Sequence, residues 1–133
     1  MRYLMILAVT LLASWPAGAE EISLGDQSVG SGMGQGIICN TSEQAARFID
    51  LRNDGAVTAA ALDTVNAEAK DPSACGTAMV AFTNGQPLAE KTLRGMAVRV
   101  VKITIIAANN GLQWSPVRRM VQYTIIAQEG VGI

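Results

Sequence analysis

The apolar positions change their spacing twice along the chain. Residues 3–13 form one apolar stretch, interrupted only by Thr10. From Ala45, apolar side chains recur through Phe48 and Ile49, with the stem of Arg52 on the same face. This is helical spacing. Either Asn40 with Glu43 or Thr41 with Gln44 supplies a capping box for that helix. Asn53-Asp54-Gly55 ends it. A second helix is predicted over residues 56–70, rich in alanine, with Ala61, Leu62, Val65 and Ala69 as a narrow stripe. Asp71-Pro72 stops it, because proline disfavours helix at the residue before it.

From Cys75 onward the pattern is that of strands. Strands are predicted at 77–83, 97–108, 112–115 and 119–127, with a short edge strand at 87–93 that begins at Pro87. Asn84-Gly85, Arg94-Gly95 and Asn109-Asn110-Gly111 are the turn signals between them, and Pro116 breaks the last pair. The segment 97–108, rich in Val and Ile on both faces, is expected at the centre. The fold class is therefore α+β: two N-terminal helices followed by a four- to five-stranded antiparallel meander sheet. Two closures fit this pattern, a small SH3-like barrel and a helix pair layered on an open sheet.

The first apolar stretch has a different fate. Arg2 precedes it, Pro16 ends it, and Ala17-Gly18-Ala19 supplies a small-x-small cleavage pattern. Residues 1–19 read as a secretory signal peptide, too short to span a bilayer comfortably. Residues 20–36 carry Gly25, Gly30, Gly32, Gly34 and Gly36 and read as a flexible lead-in. Their alternating glycines match neither dinucleotide nor P-loop spacing. The single α+β domain is expected over 37–128, with 129–133 as a tail.

Export changes what composition implies. The full chain has ten basic and eleven acidic side chains and no histidine. A chain starting at Glu20 keeps all eleven acids and nine bases, for a net charge of −2. The mean hydropathy of +0.28 owes much to the discarded segment. This charge disfavours nucleic acid as a partner, since such binding rests on a basic surface. Once the signal is cleaved, no stable membrane insertion is expected. Localisation is periplasmic or secreted, and there Cys39 and Cys75 have only each other to pair with.

Chemistry is sparse. Without histidine neither a Ser-His-Asp nor a Cys-His site can form. The two carboxylate pairs, Asp50 with Asp54 and Glu68 with Asp71, fall at helix ends where solvated charges are routine. No catalytic residue, metal site or cofactor is expected. Asn40-Thr41-Ser42 matches a glycosylation acceptor but is better used as a helix cap. The stretch Trp114-Ser115-Pro116-Val117-Arg118-Arg119 stands apart, because it sets a tryptophan beside paired arginines at a strand break. Trp and Arg are enriched at binding hot spots. The bland alternative has Trp114 plugging the sheet edge with Arg118 and Arg119 solvated. Asn66, polar in an alanine-rich helix, and Tyr123, in step with Ile125, are weaker candidates.

Four segments carry a resemblance: Cys39-Asn40-Thr41-Ser42-Glu43-Gln44, Ala61 through Glu68, Pro72-Ser73-Ala74-Cys75-Gly76, and Gln122-Tyr123-Thr124. In them the chain resembles a group of small exported, uncharacterised proteins of Gram-negative bacteria. The group brings no activity with it. The resemblance implies export and the disulfide. The function expected is a non-catalytic domain that binds a protein or cell-envelope component around Trp114, Arg118 and Arg119. A small-ligand binder, with a cavity between helices and sheet, is the alternative. A carboxylate-dependent enzyme comes third.

Overall fold

The structure, a computed structural model, describes residues 30–128. The segments expected to be a signal peptide (1–19), the first part of a lead-in (20–29) and a tail (129–133) lie outside the described residues. Strand β1 (Gly32–Cys39) leads into helix α1 (Ser42–Asn53) and helix α2 (Thr58–Ala69). Strands β2 (Cys75–Leu93), β3 (Met96–Asn109) and β4 (Trp114–Ala127) follow. All neighbouring strands are antiparallel, in the order β1-β2-β3-β4. Two further rungs, Ile38 with Thr124 and Cys39 with Tyr123, join β1 to β4 and close the strands into a ring.

Local chemistry explains the helix limits. Thr41 is the cap of α1: its hydroxyl accepts the Gln44 backbone N–H at 3.1 Å, and the Gln44 side chain accepts the Thr41 N–H at 3.0 Å. Of the two capping boxes the sequence offers, this one forms. Ala45, Phe48 and Ile49 are the buried face of α1, as their spacing predicts. Helix α2 buries Ala61 and Val65 and stops where Lys70 turns left-handed, just before Asp71-Pro72. Arg47 forks across to Glu68 at 3.0 and 2.9 Å and couples the two helices. Asn53 anchors the end of α1 to the β2–β3 turn, donating to the Thr92 carbonyl at 2.8 Å and accepting the Arg94 N–H at 2.6 Å.

Two apolar clusters divide the sheet by face. One joins Ile37, Cys39, Cys75, Val98, Val100 and Ile125 to Phe48, Ile49, Ala61 and Val65 of the helices. This is the helix-covered face. The other consists of Val80, Phe82, Val101, Ile103, Ile105 and Ile126, all from strands. With no helix over them, these side chains are buried by the strands curling around them, so theirs is the inside of the ring. Val100 and Val101 are adjacent, yet they belong to opposite faces and are both buried. This is why β3 reads as apolar on both sides.

Four details differ from the sequence reading. Strand β1 precedes the helices, and it begins at Gly32, within the stretch expected to be lead-in. Its backbone pairs with β2 from Gly32–Phe82 to Cys39–Cys75, so hydrogen bonds offset the high ordering cost of glycine. Asn84-Gly85 is a bulge rather than a turn: Asn84 takes φ 58, the register shifts between Thr83 and Gln86, and β2 runs on as one strand. Leu112 lies in the β3–β4 loop, not in a strand. Pro116 sits inside β4 opposite Ala107, beside a register irregularity that absorbs its missing N–H. By contrast, Arg94-Gly95 does turn, with φ 47 and 88, the two positive angles a tight hairpin needs.

Candidate functional site

Side chains alternate between faces along a strand, and paired residues share a face. Met33 is in step with Ile37 and Cys39 on β1, and Met79 with Cys75 on β2. One ladder row runs Gln35, Met79, Asn109, Trp114; the next runs Met33, Ala81, Ala107, Pro116. All belong to the face that carries the disulfide and, elsewhere, the helices. Here the helices do not reach. Met33, Met79 and Trp114 are 48%, 38% and 39% exposed, large apolar side chains on two neighbouring rows of the outer sheet, with Gln35 and Asn109 between them. Val121, in step with Tyr123 and Ile125 on β4, is also exposed.

The hairpin at this end of the sheet is built by asparagines. The Asn109 side chain accepts the Gly111 N–H at 2.7 Å, and Asn110 Oδ1 accepts the N–H groups of Leu112 and Gln113 at 2.9 and 3.1 Å. Gly111 takes φ 103, which favours glycine. Loop backbone groups are thus bonded internally while the Leu112 side chain points into solvent, 92% exposed. Arg118 and Arg119 follow on β4, both exposed.

The structure therefore places Trp114, Arg118 and Arg119 on one exposed strand at the uncovered end. It also brings Cys39 and Cys75 together as a disulfide, directly opposite each other in the β1–β2 ladder. Asn66 has a structural task. Its Oδ1 accepts the Cys75 N–H at 2.8 Å, and its Nδ2 donates to the carbonyls of Cys75 and Pro72, both at 3.1 Å. It holds the α2–β2 connection against the disulfide. Tyr123 is half-buried and pairs with Cys39 and Lys102.

The carboxylates are occupied or dispersed. Glu68 is paired with Arg47, whose hydrogen bond and charge hold its carboxyl below the usual glutamate range; the Arg47 guanidinium is raised in turn. Asp71 accepts the Ser73 N–H at 2.8 Å. Asp50 and Asp54 are exposed at the end of α1.

Met33 and Met79 are the members of this surface that the sequence reading missed. The signal was available: in Met33, Gln35, Ile37 and Cys39 every second residue of β1 is larger than the glycines between them, apart from Ile38. That period of two marks a strand. Comparison of the chain with protein-family models, curated proteins and solved structures finds no match. Among the described residues, no helix is long and apolar enough to cross a membrane.

Proposed function

We propose that the protein is an exported, non-catalytic binding domain that engages a cell-envelope component through its uncovered outer sheet face. One observation carries this reading. Trp114, Met33 and Met79 stay exposed on the same face whose other end is sealed by two helices. Burying them against a partner removes apolar surface from water, at about 25 cal/mol per Å². Arg118 and Arg119 add charged donors at the rim, the usual composition of a binding patch. The ring of strands then serves as a small SH3-like barrel, its interior filled and its outer face offered. The alternative of a small ligand between helices and sheet has less support, since Phe48, Ile49, Val65, Val98 and Ile125 already pack there. The disulfide and the apolar leader of residues 3–13 fit a periplasmic or secreted location.

The test is affinity capture from a detergent-solubilised envelope extract. The variant Trp114→Ala/Arg118→Ala is expected to lose retained material while its Tm stays near wild type. Equal retention by variant and wild type overturns the reading. So does a large fall in Tm, which would make Trp114 part of the core.

A further inference from the structure

We infer that the partner of this face is the anionic surface of a lipid bilayer, met by the β3–β4 hairpin; this rests on the binding reading above and names its partner. The first observation is shape. Leu112 is 92% exposed at the hairpin tip, held out by a loop whose backbone is bonded to Asn109 and Asn110. A leucine held out in this way can enter a soft apolar layer without a preformed pocket to receive it. Trp114 lies two residues behind it, with an amphipathic ring of the kind that settles at headgroup level.

The second observation is charge. Among the described residues, 30–39, 75–89 and 100–128 hold no Asp or Glu, and they carry Lys102, Arg118 and Arg119. Residues 40–74, the helices and their connections, hold six acidic and three basic side chains. The remaining acid, Glu90, lies on the β2–β3 arm beside Arg99. Among the described residues, acidic groups are therefore concentrated on the helix layer and absent from the hairpin arm, a polarity that turns the arm toward a negative surface. Apolar insertion combined with nearby basic residues is the pattern of interfacial attachment without a membrane span.

The experiment is co-sedimentation of the full, disulfide-bonded chain with phosphatidylcholine vesicles, with and without phosphatidylglycerol. Wild type is compared with Leu112→Ser and with Arg118→Glu/Arg119→Glu. All three share one N-terminus, so any affinity of residues 1–19 for vesicles is common to them. Wild type is expected to bind the anionic vesicles and to be released by salt. Each arginine at the surface contributes about fivefold, so the double charge reversal should weaken partition by more than about 25-fold. Loss of Leu112 should cost about tenfold. Both positions are exposed, so unchanged Tm values accompany these losses. Equal binding by all three proteins overturns the inference, as does equal binding of wild type to neutral vesicles. If vesicles are ignored while solubilised envelope protein is still retained through Trp114 and Arg118, the lipid assignment falls and the binding domain stands. If neither is bound, both fall. A dimer in light scattering that Leu112→Ser dissolves gives the face to a second copy and also overturns the lipid assignment.

Discussion

One face of the sheet has two ends built to the same alternation and treated in opposite ways. At the covered end Cys39, Cys75, Val98, Val100 and Ile125 meet Phe48, Ile49 and Val65, and all are nearly or fully buried. At the bare end Met33, Met79 and Trp114 have no helix over them. The sheet itself does not distinguish the ends; the helix pair between β1 and β2 does. Among the described residues, all the acidic side chains but Glu90 lie in 40–74 with the helices, so there the covered end is shielded and acidic, while the bare end presents Met33, Met79, Trp114, Arg118 and Arg119. Stability should therefore reside at one end and recognition at the other.

The most direct way to break that division is to hollow out the covered end. Phe48 is 1% exposed, so Phe48→Ala leaves a cavity between α1 and the sheet and should cost about 3–5 kcal/mol. For a domain of this size each kcal/mol lowers Tm by roughly 4 °C or more, so calorimetry reads it directly. A loss below about 1 kcal/mol would mean that the helices contribute little to the fold and that stability does not reside at the covered end.

Breaking the Cys39–Cys75 bond should follow closely. The bridge spans a sequence separation of 36 residues. On the chain-entropy model it contributes roughly 3–4 kcal/mol. Denaturant titration of Cys39→Ala/Cys75→Ala against wild type measures it, and intact mass with and without reductant reports the bond. Asn66→Ala comes next. It strands the Cys75 N–H and frees the carbonyls of Pro72 and Cys75, for about 1–3 kcal/mol. Asn66→Asp sharpens the result: it keeps the acceptor for the Cys75 N–H but turns a carboxylate oxygen toward the Pro72 and Cys75 carbonyls, so it should cost stability even with that acceptor in place.

The bare end should behave in the opposite way. Trp114→Ala with Arg118→Ala is expected to change stability by about 1 kcal/mol or less, since the side chains removed are exposed. Capture of the partner is the quantity it should abolish. If Tm falls as far as it does for Phe48→Ala, the two ends are equivalent and the comparison fails.

How much of this was legible beforehand follows the same division. The helices were readable, because Ala45, Phe48 and Ile49 repeat at helical spacing and Thr41 with Gln44 caps. The disulfide was readable because the chain has only two cysteines, which the expectation of export pairs with each other. The tryptophan–arginine stretch was readable as composition, but not its setting. The first strand shows its period of two only as larger residues set between glycines, a pattern a flexible glycine-rich segment also carries, and its ladder partners lie 36 to 50 residues away in sequence. Asn84-Gly85 misled for a related reason: a left-handed asparagine serves a bulge as well as a turn, and only the long-range pairing with Thr104 and Lys102 decides which. Which half of a face the helices cover is equally a matter of packing, so the placing of Met33, Met79 and Trp114 on one bare face could not be read locally.

The smallest effect concerns the ion pair that fastens the two helices. Glu68 lies below the ordinary glutamate range, chiefly because Arg47 donates a hydrogen bond to it and secondarily through the charge of Arg47, against a desolvation effect of opposite sign. A carboxyl whose folded value is lowered stabilises the fold above the unfolded value, about 4.3 for glutamate, and loses that contribution as the pH falls through the lowered folded value. Glu68→Gln removes it at every pH. The Tm difference between wild type and variant should thus be greatest at neutral pH and close in acid. Because both side chains are exposed, the difference should also shrink with added salt. Partner capture should stay unchanged throughout, since Glu68 lies on α2 and the bare end is elsewhere. A variant that keeps its Tm but changes capture would place recognition on the helix layer and reverse the roles of the two ends.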